Sequence, residues 1–196
     1  MSAARAWVIA GGLLLLVAGA ASAGPPPVPT PIGVGPGYRL TPTSAAVRAA
    51  RPVGSLTCTA ASPMRFRAHL ELFARKRVLI VPAGIGVAPP LQRDGAVVLG
   101  GKCLYGLRTR EPTGVVEVGR ARGLTIGDLF RVWGQRLAPH RIAGFVSSRP
   151  VLVFVNGRRV NADPRSVPLR LHDEIVLEIG GYIPPHRSYL FPKGSS

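Results

Sequence analysis

Hydrophobic and polar positions alternate strictly in "FRAHLELF", residues 66–73. Phe66, Ala68, Leu70 and Leu72 fall on one face, and Arg67, His69, Glu71 and Phe73 on the other. Successive side chains of an extended chain point to opposite sides, so this stretch predicts a half-buried strand. "RVLIVP", 77–82, follows closely enough to close a hairpin with it. "AGIGVAPP" reads as a loop, and "AVVL" (96–99), "CLYGLRT" (103–109) and "GVVEVG" (114–119) as further strands. The period then changes. "TIGDLFRVWGQRL", 125–137, puts Ile126, Leu129, Phe130, Trp133 and Leu137 on one helical stripe. Thr125 suits an N-cap, Asp128 three residues on suits a capping box, and Gly134 weakens the helix end. "VLVFVNGRRV", 151–160, is an apolar strand entering the Asn156-Gly157 pair that type I′ hairpin turns prefer. "EIVLEIG", 174–180, is a last strand behind a turn at His172–Asp173. These elements predict an α+β fold, a mainly antiparallel sheet with one amphipathic helix packed on it, in an order similar to a β-grasp.

The ends read differently. Arg5, the apolar run 6–17 and the small residues Ala21–Ala23 have the layout of a secretory signal peptide over residues 1–23. The run is shorter than the ~20 residues that span a bilayer, so export with cleavage is expected, and an uncleaved N-terminal anchor is the alternative. Residues 24–55 open with "GPPPVPTPIGVGPG" and predict a Pro/Gly-rich disordered arm. The α+β domain is then expected over 56–180 and an extended, Pro-rich tail over 181–196, whose aromatics can pin it to the domain. Two cysteines, Cys58 and Cys103, suit a disulfide in an exported chain. It would close a loop worth roughly 4 kcal/mol by the chain-entropy argument. Separate thiols or soft metal ligands are the alternatives.

Charge adds a question rather than an answer. The formal net charge is +16, and Lys occurs only at 76, 102 and 193, so the excess is arginine. An anionic partner such as nucleic acid, an acidic envelope polymer or anionic lipid would fit that charge. So would plain composition, because Ala, Gly, Pro and Arg are abundant together and the arginines are spread along the chain. Nucleic acid has no support beyond charge, since the aromatics follow core periodicity and do not interleave with arginine on a surface strand.

One constellation stands out. Arg65, Arg67, His69 and Glu71 share a phase on the first strand, and Arg108 and Arg110 share one on a later strand. Glu111 and Glu117 follow. If those strands are neighbours, these residues make one polar patch. Together, "RFRAHLELF", "VPAGIGV", "CLYGLRTREPTGVVEV", "LTIGDLFRVWGQRL" and "VFVNGRRVNADPRSVPLRLHDEIVLEIG" resemble a family of uncharacterised exported bacterial proteins, over about residues 58–192. The resemblance implies a transition-metal site of alternating histidines: His-x-His-x-His on the first strand, His-Thr-His-Asp on the second, and a further His on the third. Here Arg65 and Arg67 stand at the first two positions, Arg108 and Arg110 at the pair, Glu111 at the Asp and Glu117 at the later His. Only His69 and His172 match. Arginine offers donors only and ligates no metal, so the implied metal pocket becomes a cationic one.

Three readings follow. The arginines pair with Glu71, Glu111 and Glu117 as a structural network. Alternatively, Arg65, Arg67, Arg108 and Arg110 hold an anion such as phosphate, sulfate or carboxylate. A residual metal site on His69, His172 and a carboxylate is the third. No nucleophile elbow, phosphate loop, dinucleotide fingerprint or His-Glu-x-x-His is present, so a non-catalytic role without a cofactor is expected. The sequence thus predicts an exported binding or structural domain of the cell envelope, with a metal-binding protein of degraded site as the alternative.

Overall fold

In a computed structural model, the described residues are 43–119 and 123–191. The signal-peptide expectation for residues 1–23, and the arm expectation for 24–42, lie outside them. For residues 43–55 the arm expectation is corrected. A short helix α1, Ala45–Arg48, is capped by Ser44, and Val47 is fully buried. The Ser44 amide donates to Val132 O at 3.1 Å, which fixes this segment against the main helix. The folded unit therefore starts before Leu56.

The main sheet contains seven strands: β1 (Phe66–Ala74), β2 (Arg77–Leu79), β3 (Leu107–Arg108), β4 (Val115–Val118), β5 (Leu152–Val155), β6 (Arg158–Val160) and β7 (Glu174–Ile179). Their order is β6-β5-β7-β1-β4-β3, with β2 also paired to β1. One edge of β1 is thus shared: β4 takes its N-terminal half and β2 its C-terminal half. On the other edge β7 runs parallel, in the register His69↔Glu174 to Ala74↔Ile179. The other pairs in the sheet are antiparallel, so the sheet is mixed. The Asn156-Gly157 turn has φ of 52° and 73°, the left-handed pair that this hairpin needs.

Two expected strands differ. Residues 96–99 form a hairpin off the main sheet, with Val97–Gly100 against Gln92–Asp94. Residues 103–109 break in two, because the Tyr105 side chain is fully buried and its hydroxyl donates to Arg51 O at 2.6 Å. Cys103–Leu104 then pairs with Val87–Ala88, and only Leu107–Arg108 joins the sheet.

Helix α2, Ile126–Trp133, packs across one sheet face. Thr125 and Asp128 cap each other reciprocally, and Gly134 closes the helix at φ 81° with its amide on Phe130 O. That cap ends the helix four residues before the apolar stripe does, and Leu137 moves into a short strand, Leu137–Ala138. Ile126, Leu129, Phe130 and Trp133 meet Leu70, Leu72, Val116, Leu177 and Ile179 in the core. Among the described residues, no helix is long and apolar enough to cross a membrane. Cys58 and Cys103 are joined as a disulfide across 45 positions.

Candidate functional site

The pleat that sends Ala68, Leu70 and Leu72 into the core sends Arg67, His69, Glu71 and Phe73 to the opposite face. The register then decides who meets whom. Glu117 on β4 stands opposite Arg67 on one side and Arg108 on the other. Glu174 on β7 stands opposite His69. The outer face therefore carries two adjoining polar clusters, which share strand β1.

The first cluster gathers three guanidinium groups on one carboxylate. Arg108 Nε donates to Glu117 Oε2 at 2.6 Å, Arg110 Nε reaches both oxygens at 3.2–3.3 Å, and Arg67 Nη2 stands 3.6 Å from Oε1. Arg108 is only 4% exposed, and its Nη1 also donates to Ser62 O at 2.7 Å. Arg110 Nη1 bonds the carbonyls of Val98 and Leu99. The Arg67 and Arg110 side chains keep 24% and 31% exposure, so they form the accessible rim. Of the residues expected in the patch, Arg65 and Glu111 are exposed and stay outside these contacts. The charge of Glu111 instead reaches Tyr189, whose phenol is held above its ordinary range, first by burial and then by that charge.

The second cluster is rich in acceptors. His69 Nε2 lies 2.7 Å from Thr113 O and Nδ1 lies 2.7 Å from Glu174 Oε2. Gly114 permits this approach. It has φ 83°, and a Cβ there would stand 2.9 Å from His69 Nε2 and 2.4 Å from Leu70 O. Glu174 is 1% exposed and its Oε1 has no hydrogen-bond partner among the described residues. Burial pushes its carboxyl above the ordinary range, against the His69 hydrogen bond. Glu71 accepts from His186 Nδ1 at 2.8 Å. The contact raises the His186 imidazole above its usual value. One donor atom from each of His69, Glu71 and Glu174 lies within 4.8 Å of the others. His172 is not in that group. It is exposed, stacks on Phe191 and gives its amide to Arg67 O. Glu71 thus belongs with His69 and His186, not with the arginines.

Two features of this face were not singled out from the sequence. In the sequence Glu174 only starts an apolar strand, yet its side chain faces His69. Asn156, read only as a turn residue, also clamps the start of β7: its Oδ1 accepts from the Glu174 amide and its Nδ2 donates to Asp173 Oδ1. The tail lies over the face, with Tyr189 stacked on His69 at 3.8 Å and Tyr182 near Phe154. Ile183 N donates to Glu178 Oε2, while Glu178 Oε1 is buried without a partner among the described residues. Compared with family models, curated proteins and solved structures, the chain matches none of them.

Proposed function

We propose that this is an exported, non-catalytic binding domain whose outer sheet face takes an anionic group at the Glu117 cluster. The observation that carries the reading is the imbalance there: Arg67, Arg108 and Arg110 face one carboxylate, and two unit charges remain uncompensated. Arg108 is committed to Glu117 and to Ser62 O, so it acts as the fixed base of the site. Arg67 and Arg110 supply the remaining N–H groups. Arg67 is an ion pair at a distance too long for a hydrogen bond. Guanidinium forks match the paired oxygens of phosphate, sulfate and carboxylate, which names the ligand class. An envelope polymer carrying such groups suits an exported, strongly basic chain. The disulfide and the expected leader support export. Similarity to the His-rich exported family supports the same reading with changed site chemistry. The run of hairpin, helix, second hairpin and a last strand parallel to the first supports a β-grasp-like fold.

The test is a titration of the full chain with inorganic phosphate at low and high salt. Binding is expected to weaken with salt and to fall at least about tenfold in an Arg67→Ala/Arg110→Ala double variant that keeps its fold. Unchanged affinity in a folded double variant contradicts the reading.

A further inference from the structure

Beside the cationic cluster lies a group with the opposite shortage. Thr113 O is a carbonyl and only accepts, so His69 Nε2 carries the hydrogen of that 2.7 Å contact. In the neutral imidazole Nδ1 then holds the lone pair, and it points at a carboxylate oxygen 2.7 Å away. Two acceptors face each other across a hydrogen-bond distance. Glu174 Oε1 is buried without a hydrogen-bond partner among the described residues, and Glu71, which His186 serves from its outer side, brings a second carboxylate to the same place. Something positive belongs between them. A shared proton serves Nδ1 and Oε2 but leaves Oε1 without a partner. A divalent ion serves the imidazole and both carboxylates at once.

We propose that His69, Glu71 and Glu174 form a site for a divalent first-row transition ion. The hydrogen bond from Nε2–H to a backbone carbonyl is the arrangement that fixes a ligating histidine's tautomer and ring orientation. One imidazole and two carboxylates are borderline and hard donors, suited to Zn²⁺ or Mn²⁺ and not to ions that demand thiolates. The two cysteine sulfurs are tied up in the disulfide, so no thiolate offers a competing site. Donor atoms around tetrahedral Zn²⁺ stand roughly 3.3–3.6 Å apart. The present separations are all within 4.8 Å, so ligation asks Nδ1 and Oε2, now 2.7 Å apart, to open by less than an ångström and Glu71 to close. The strands are in register, with His69 and Glu174 directly paired and Glu71 two residues along β1. Tyr189 stacks on the imidazole and shields it from one side. His186, 69% exposed and bonded to Glu71, stands at the solvent side of the group. This site is independent of the anion reading, because it uses none of the arginines.

The probe is Zn²⁺ itself, titrated into the full, disulfide-intact chain against a chromogenic chelator, with Co²⁺ absorption reporting the ligand field. One ion per chain is expected, with affinity that survives high salt. Glu174→Gln and Glu71→Gln should each lower affinity at least about a hundredfold, as losing a ligating group should exceed the effect of losing its hydrogen-bonded support. His172→Ala should leave it unchanged. Zn²⁺ affinity as high in Glu174→Gln and Glu71→Gln as in the parent overturns the proposal, as does absence of binding to the parent chain. Should either variant fail to fold, the Co²⁺ spectrum of the parent decides: bands of a fully hydrated ion count against the site.

Discussion

Two clusters lie side by side on one sheet face, and they are built in opposite ways. Around Glu117 there are too many donors: three guanidinium groups meet one carboxylate. Around His69 acceptors crowd together: His186 serves Glu71 and Nε2–H serves Thr113 O, but Nδ1 faces Glu174 Oε2, and Glu174 Oε1 has no partner among the described residues. Strand β1 supplies a residue to each, Arg67 to the first and His69 to the second, two positions apart. A pleated strand repeats its face every second residue, so a single strand can carry both chemistries without a change of fold. What differs is the neighbour each position receives. Antiparallel β4 brings a glutamate between two arginines, and parallel β7 brings a glutamate against a histidine. The same residue type therefore has different consequences. Glu117 neutralises cations that would otherwise be buried alone, whereas Glu174 adds an acceptor where acceptors already exceed donors.

The sharpest way to break this comparison is to remove the two glutamates in turn. Glu117→Ala leaves Arg108 buried without its carboxylate and sets three cations against one another. It should cost about 3–5 kcal/mol in denaturant unfolding. Phosphate or sulfate should restore part of the loss by standing in for the carboxylate. A loss under about 1 kcal/mol would mean that the Arg108–Glu117 contact is not what holds this end together.

Reduction of Cys58–Cys103 should rank next, at about 2–4 kcal/mol. The bond anchors the segment that leads to Ser62, whose carbonyl receives Arg108 Nη1. Backbone amide exchange should therefore quicken around Ser62 and Arg108 and remain slow around Glu174. Equal loosening at both ends would contradict that assignment.

The next effect is a slope with pH. Glu178 is fully buried, and desolvation raises its carboxyl above the ordinary glutamate value, against the opposing hydrogen bond from the Ile183 amide. The folded chain holds this proton after the unfolded chain has released it. The stability it contributes is present in full below the ordinary glutamate value and is lost as pH rises through the raised one. Glu178→Gln should flatten that part of the pH–stability curve. An unchanged curve would show that Glu178 titrates normally.

The smallest expected change is Glu174→Gln. The side-chain amide gives His69 Nδ1 a donor, so stability should stay within about 1 kcal/mol of the parent. A loss as large as that of Glu117→Ala would show that the two glutamates play the same part.

Much of this architecture is legible in the sequence. The alternation of 66–73 gave β1 and its outward residues, because one buried face imposes period two. The reciprocal cap at Thr125 and Asp128 and the Asn156-Gly157 turn follow from local chemistry, and the pairing of Cys58 with Cys103 from there being two cysteines in a chain expected to be exported. Arg67, Arg108, Arg110 and Glu117 were legible as one patch for the same reason of parity. Glu174 was not. Its role depends on β7 lying parallel beside β1, a pairing between residues 105 positions apart that no local pattern encodes. Glu111 is out of phase with Arg108 and Arg110 and lies beyond the strand, which ends at Arg108, so nearness in sequence to the two arginines did not bring it into the patch. The break at Tyr105 was hidden because its buried hydroxyl answers to Arg51, in a segment whose Pro and Gly content suggested an arm.

The most direct measurement is a pair of titrations on two portions of one isotope-labelled preparation, phosphate into the first and Zn²⁺ into the phosphate-free second, following the arginine Nε–H and histidine ring signals. Phosphate should move Arg67 and Arg110 and leave His69 in place, and Zn²⁺ should move His69 and leave the arginines in place. If phosphate leaves the Arg67 and Arg110 signals unmoved, the account of this face as an anion-binding surface is wrong.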